Sequence, residues 1–336
     1  MSPASIGGAV DWQFAAAVGA RLARSAPPTT DYTRNQAIGE LAESSRAAEP
    51  PVRDVTRLHT DGPIPDARIV DRPEWIRAAS ESMRLMTGGG EQPDGFLAGR
   101  ISGAQLGAVL GFVSSGILGQ YDPFTPDGGK LLLVYPNIIA VERQLRVVPK
   151  DFRLWVCLHE VTHRVQFTAN PWLAGYMTDA LEVLTVDAGE EMAEVIGRLA
   201  DFVRDRQDGM IGFMRAVQSE PQRQALDRLL VLATLLEGHA DHVMDAVGPT
   251  VVPSGTTIRR RFDERRQRKQ PPLQRIMRIL LGIDAKMSQY TRGKAFVDHV
   301  VGRVGMDRFN TVWTGAETLP LPDEIDEPQR WIDRVL

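Results

Sequence analysis

The spacing of apolar residues along the chain predicts a mainly helical protein. A continuous apolar run typical of a strand stands clearly only at 130–135, and one or two further strands are expected. Asp71, followed by Pro73, marks a helix start, and Asn137 is placed to cap a helix over 138–145. The pattern thus predicts an α-rich α+β fold with a small sheet. Helical periodicity covers residues 9–24, 33–48, 179–206, 221–247, 271–284 and 286–305.

One uncharged segment, residues 101–118, could be taken for a membrane span. Gly103, Gly107 and Gly111 repeat every four residues, a spacing that lets helices approach closely. Its length is marginal for a span, however, and Gln105 and two serines interrupt its apolar character. We therefore expect a buried helix whose smooth glycine face packs on the core, and no membrane span.

Composition limits the classes of protein and partner. The 336 residues are 43% hydrophobic and 24% charged, which allows a sizeable core. We predict an N-terminal helical lobe over 1–98 packed on a core domain over 99–336. The net charge of −4 provides no overall field for nucleic acid or an anionic membrane, and neither is expected as a partner.

A single cysteine, Cys157, excludes an internal disulfide, and with no signal peptide it indicates a cytoplasmic protein.

A basic segment at 259–269 holds seven basic and two acidic residues. Such runs are usually solvated loops or helix faces. Contact with nucleic acid is the alternative, but the segment lacks interleaved aromatic residues and the whole chain is not basic.

The most informative chemistry lies at residues 158–163, which contain the pattern H-E-x-x-H within a strongly apolar helical stretch opened by Pro149. His159 and His163 are four residues apart, so they share one face of a helix and can bind one Zn²⁺. Glu160 then lies beside the metal, where a carboxylate can act as general base. Cys157 faces away from this pair and is expected in the core.

A catalytic zinc needs a third protein ligand, and a second apolar helix offers one. Glu237 and Asp241 are four residues apart on it and share a face. We predict that Glu237 binds the metal and that Asp241 accepts the free ring N–H of a ligand histidine. His239 and His242 are rival ligands, although neither shares the face of Glu237.

A hydroxyl donor for an oxyanion is a further requirement of zinc hydrolases that attack a carbonyl. Tyr290 is a candidate, with Gly293 one turn away to leave room. The alternative for Tyr290 is a packed ring with its hydroxyl at the surface.

These motifs, taken in order, resemble a zincin-like, gluzincin-type family of zinc-dependent metalloproteases. Some of its members are labelled as associated with biosynthesis of a deazaflavin coenzyme. The similarity rests on LHEVTHRVQF, LLEGHADHVMDAV and KMSQYTRGKAFVDHVVGRVGMDRFN, with shorter matches at GAVDWQFAA, VDRPEW and ILGQYDPF.

The resemblance implies a zincin-like metalloprotease core and a His₂Glu site with one zinc per chain, and it favours Tyr290 as the oxyanion donor. Two features depart from the gluzincin pattern: Glu237 lies 74 positions after His163, and Arg292 stands where a lysine precedes the glycine. The expected activity is that of a metallopeptidase acting on a peptide or protein. The alternative is a non-catalytic binding or assembly protein on a retained zincin scaffold.

Overall fold

The computed structural model describes residues 9–60, 64–90, 95–125, 128–185, 220–267 and 283–336. Helices dominate these residues, and three short strands form one sheet. The elements are α1 (Trp12–Leu22), α2 (Asp31–Ala47), α3 (Glu49–Thr56), β1 (Arg68–Val70), α4 (Arg72–Met86), α5 (Phe96–Val113), β2 (Gly119–Asp122), β3 (Lys130–Val134), α6 (Tyr135–Leu145), α7 (Pro149–Ala169), α8 (Trp172–Thr185), α9 (Glu220–Val247), α10 (Gly255–Gln267), α11 (Ile283–Val304), α12 (Met306–Phe309) and α13 (Pro328–Val335).

The sheet has the order β1-β3-β2, so the strongly apolar β3 lies in its centre. β1 runs parallel to β3, with Ile69 opposite Leu133, and β2 runs antiparallel to it, with Gln120 opposite Leu132. Because both neighbours and both faces cover β3, every residue of 131–134 is buried. The predicted strand and the predicted mainly helical fold are confirmed, and β1 and β2 are the further strands.

The predicted role of Asn137 as a helix cap is wrong. The helix α6 begins already at Tyr135, directly after β3, with Pro136 in its first turn, where a missing N–H costs nothing. The amide of Asn137 instead donates to the Ser114 and Ile117 carbonyls at 2.7 and 2.5 Å. Its oxygen accepts from Arg72 Nε at 2.7 Å, so this buried amide ties α4, α6 and the end of α5 together.

The glycine face of α5 is buried, as the sequence predicts, and it packs directly on α1. The prediction that the whole helix is buried is wrong, because Leu97 and Ile101 on it are 75% and 61% exposed. A Cβ on Gly103 or Gly107 would lie 2.6 Å from the Asp11 carbonyl oxygen or 2.5 Å from that of Ala15. Gly111 meets the backbone of Gly19 in the same way. Backbone therefore contacts backbone along this interface. Among the described helices, none has the length and apolar character that crossing a membrane requires.

Two compact units divide the chain. The first comprises residues 4–174 with 243–267, and in it α7 packs against α2, α3 and β2. A core between the sheet and α4 contains Trp75, Ile76 and Leu132, all almost fully buried. The predicted boundary between residues 98 and 99 stays a prediction.

The second unit comprises 175–242 with 268–336 and is built on aromatic packing. Phe296 of α11, Phe309 of α12 and Trp331 of α13 are fully buried, and Trp331 lies 5.8 and 6.5 Å from the two phenylalanine rings. A glycine pair brings α9 and α11 into backbone contact, because a Cβ on Gly238 would meet the backbone of Gly293.

The basic segment forms most of α10, and part of it faces inward. Arg261 donates to the carbonyls of Leu145 and Arg146, and Arg265 donates to Gln144, all at the end of α6 or just beyond it. Arg259 lies over the ring of Trp155 at 5.7 Å. These arginines hold α10 on α6 and α7, so they are not simply a solvated face. Residues 268 and 269 lie outside the described residues.

Candidate active site

The helix α7 is the rigid element that carries the H-E-x-x-H pattern. It begins at Pro149 and buries an apolar face that includes Phe152, Leu158 and Val165, all without exposed surface. Cys157 is fully buried among these residues, and burial raises the pKa of its thiol. The prediction that Cys157 belongs to the core is confirmed.

His159 and His163 converge as the four-residue spacing predicts. Their Nε2 atoms lie 3.2 Å apart, and the two rings are perpendicular. Two nitrogens bound tetrahedrally to one zinc at 2.0–2.1 Å lie about 3.3 to 3.4 Å apart. The pair therefore fits a zinc ion without rearrangement. Both imidazoles are half-buried, which leaves room for water and substrate.

Gln166 determines which ring nitrogen of His163 carries the hydrogen. Its Oε1 lies 2.9 Å from His163 Nδ1, and because a carbonyl oxygen only accepts, the ring donates from Nδ1. The opposite nitrogen, Nε2, then presents its lone pair toward His159. Gln166 was not predicted as part of the site, although its position three residues after His163 on the same helix indicates that the two side chains can meet.

Glu160 lies in a close-fitting position against β2. Only 7% of Glu160 is exposed, and its side chain packs on the Cα of Gly119, the first residue of β2. A Cβ at Gly119 would stand 2.6 Å from both Cγ and Cδ of Glu160 and 3.0 Å from Oε1. The carboxylate thus depends on a glycine 41 positions earlier in the chain. Nothing local in the sequence around Gly119 indicates this role.

The predicted third ligand lies on α9 in the second unit. Glu237 is partly buried and Asp241 is buried one turn later, so both occupy the helix that the sequence predicts. Their predicted roles at the metal stay predictions.

The rival histidines have other partners. His239 is fully buried, with its ring 5.5 Å from that of Phe309 and 5.4 Å from that of Trp313. His242 Nδ1 lies 2.7 Å from Asp298 Oδ1. Burial raises the pKa of Asp298, but hydrogen bonds from Lys294 and His242 outweigh it and hold that pKa below its usual value.

Tyr290 lies on α11, but its side chain is outside the described residues. Gly293, which was predicted to leave room beside the tyrosine, has an additional role. A Cβ there would meet the carbonyl group of Thr234 on α9, so Gly293 permits the close crossing of α9 and α11.

Comparison with known proteins identifies the family. The profile of the zincin-like metallopeptidases matches residues 10–332, nearly the whole chain. The chain belongs to the zincin-like metallopeptidase family. This confirms the resemblance stated from the motifs and supports zinc and a hydrolase activity at a general level.

A solved structure agrees with this family. The chain is similar to a crystal structure from Chloroflexus aurantiacus that is described as a proposed hydrolase with a novel fold. The two sequences are 31% identical, the TM-score is 0.69, and the match covers 97% of this chain and 98% of the other. A search among curated proteins gives no match.

Proposed function

We propose that the protein is a zinc-dependent peptidase in which His159, His163 and Glu237 hold one zinc. The observation that carries the proposal is the pair of Nε2 atoms 3.2 Å apart directly beside the buried Glu160. Together with Glu237, the pair supplies the His₂Glu donor set that catalytic zinc uses. When bound, zinc supplies a Lewis acid that acidifies a water molecule and polarises a carbonyl group.

Glu160 moves the proton in this scheme. Its carboxylate takes a proton from the attacking water and returns it to the leaving amine as the C–N bond breaks. The contact with Gly119 holds the carboxylate in one place, which keeps the proton transfer distance short. His163 stays correctly oriented because Gln166 accepts its Nδ1–H.

Asp241 and Tyr290 complete the proposal. Asp241 lies one turn after Glu237, where a buried carboxylate can accept a ring N–H of a ligand histidine and increase its basicity. We assign to the Tyr290 hydroxyl the stabilisation of the negative charge that develops on the carbonyl oxygen.

A peptide substrate is favoured by the position of β2. This strand pairs with β3 along one edge, and its other edge has no strand partner among the described residues. An extended peptide can add to such an edge through main-chain hydrogen bonds. Because β2 begins at Gly119, a peptide on that edge would pass beside Glu160.

The test combines metal analysis with one isosteric variant. Purified protein should contain one zinc per chain by elemental mass spectrometry and should cleave members of a peptide library. Glu160→Gln keeps the size of the side chain but cannot accept the proton, so kcat should fall by about 10³-fold or more while zinc stays bound. The control Glu43→Gln on the exposed face of α2 should retain full activity.

Two outcomes would reject the proposal. Full activity of Glu160→Gln would remove the proton-transfer scheme. Protein that folds normally without zinc and cleaves no peptide would instead favour a binding or assembly role on a retained scaffold.

A further inference from the structure

A pocket of about 370 Å³ lies in the first unit, between α3, α7 and the outer end of β2. We call it the arginine pocket, after Arg53 and Arg164 in its wall. The rings of Tyr121 and Phe167, whose centroids are 5.9 Å apart, supply an apolar side. The pocket therefore combines positive charge with a surface that can cover an aliphatic stem.

Positive charge exceeds negative charge among the described residues of this pocket. Within that part of the chain its charged lining residues are Glu49, Arg53 and Arg164, so one carboxylate faces two guanidinium groups. Arg164 Nη2 lies 2.5 Å from Glu49 Oε2, and Arg53 Nη2 lies 2.6 Å from Glu49 Oε1. Both carboxylate oxygens are thus already occupied by guanidinium groups, which leaves a net charge of +1 on these three side chains.

Arg164 is the buried member of the pair. Its side chain is 5% exposed, and within the part of the chain that the structure describes its Nε atom has no hydrogen-bond partner. Burial of a cation is costly unless an anion compensates it. The shared Glu49 compensates only one of the two arginines, and the nearby Asp66 is itself paired with Arg46, so an added anion from a ligand would be stabilised here.

The pocket is aligned with Glu160. Glu160, Arg164 and Phe167 are spaced four and three residues apart and share a face of α7. On β2, Gly119 and Tyr121 point to the same side, and they contact Glu160 and Phe167 respectively. Four residues of helix correspond to about 6 Å, and two residues of extended chain to nearly the same length.

We propose that the arginine pocket binds a carboxylate of the substrate, normally the side chain of a glutamate or aspartate within about two residues of the bond that is cleaved. The proposal rests on the proposed peptidase function and adds a preference for acidic sequences. The free carboxylate at the end of a peptide has the same chemistry, so the experiment must separate these two sources.

The experiment measures kcat/KM of the zinc-loaded protein on matched peptides. Starting from any cleaved library peptide, the residues flanking the cleavage site are replaced in turn by Glu, Gln or Lys, with free or amidated C-termini. At the substrate position that contacts the pocket, kcat/KM of the Glu peptide should exceed that of the Gln peptide by about tenfold or more, because a charged hydrogen bond replaces a neutral one. The Lys peptide should have the lowest kcat/KM, because its positive charge is repelled by the two arginines.

Variants link that preference to the pocket. Arg53→Gln removes the net charge and should bring the Glu to Gln ratio close to one, whereas Arg53→Lys keeps the charge and should retain most of the ratio. Arg330→Gln is the matched control, because Arg330 pairs with Asp323 at the exposed surface and does not line the pocket. Thermal unfolding of each variant shows that it is folded.

Each outcome has a defined meaning. A Glu to Gln ratio near one in the native protein, or a ratio unchanged by Arg53→Gln, overturns the proposal while leaving the peptidase function intact. A preference that disappears on amidation assigns the pocket to the chain terminus and overturns the assignment to a side chain. If no peptide is cleaved, calorimetric binding of Glu and Gln peptides still tests the pocket independently of catalysis, and equal affinities overturn the proposal.

Discussion

A single methyl group at Gly119 should separate catalysis from metal binding. In Gly119→Ala the new Cβ would lie 2.6 Å from Cγ and Cδ of Glu160, whereas unstrained carbon atoms approach to about 3.5 Å. The Glu160 carboxylate must therefore retreat by roughly 0.9 Å, or β2 must move by the same amount. A displacement of about 1 Å in a catalytic group costs on the order of 100-fold in rate.

The expected result is a kcat lower by about 100-fold with one zinc still bound, because the atoms nearest to the new methyl group all belong to Glu160. Strain of this kind destabilises a fold by about 1–3 kcal/mol, so thermal unfolding should shift only moderately. Gly39→Ala is the matched control. Gly39 lies on the exposed side of α2 with no atom within 4 Å of an added Cβ, and alanine there should slightly stabilise the helix.

Steady-state kinetics on a cleaved peptide, with elemental analysis of the same samples, makes the comparison. Undiminished kcat in Gly119→Ala would refute the argument that β2 positions the carboxylate. Parallel loss of zinc and activity would refute it as well, since the damage would then extend to the histidines.

Three other results are expected. Gln166→Met removes the acceptor that orients His163 and should weaken zinc affinity by about 10- to 100-fold, measured by competition with a chelator. Gly238→Ala forces the backbones of α9 and α11 apart and should lower the midpoint of thermal unfolding far more than Gly175→Ala, which meets no atom within 4 Å. Burial raises the pKa of Asp122 despite its hydrogen bonds, so its ionised form costs stability above that pKa. Asp122→Asn should therefore raise the unfolding midpoint relative to the native protein at pH 8, and the gain should shrink toward pH 4; a gain that grows on acidification would contradict the assignment.

Elements with strong local signals could be predicted from the sequence. The apolar run of β3 and the apolar periodicity of α7 identify both elements. Asp71 caps α4 through a reciprocal pair of hydrogen bonds with Glu74, and both residues stand at the positions that such a cap requires. Each of these signals lies within a few residues of the element it defines.

Elements defined by distant partners could not be predicted. β1 has only three residues and exists because it pairs with β3, about 64 positions later. The position of Asn137 suggests a cap, yet its side chain is used by α4 and α5, which the local sequence does not reveal. Tertiary contacts of this kind outweigh local preference.

In the candidate site too, residues with local sequence signals were predictable and residues brought together from distant segments were not. The approach of His159 and His163 follows from helix geometry and was predictable, as was the helix that carries Glu237. The glycine against Glu160 and the two arginines around Glu49 come from segments far apart in sequence, so no spacing rule reveals them.

The glycine interface of α1 and α5 poses a problem of alignment. Gly103, Gly107 and Gly111 recur every four residues. If α5 were displaced by one helical turn, it would therefore present a nearly identical surface to α1. The glycines determine how closely the two helices approach but not which turn meets which. At the polar start of α1, Asp11 donates its N–H to the Gly99 carbonyl at 2.9 Å, which ties one defined turn of α5 to α1. This hydrogen bond favours the observed alignment over alignments shifted by one helical turn, which the repeating glycines alone leave nearly equivalent.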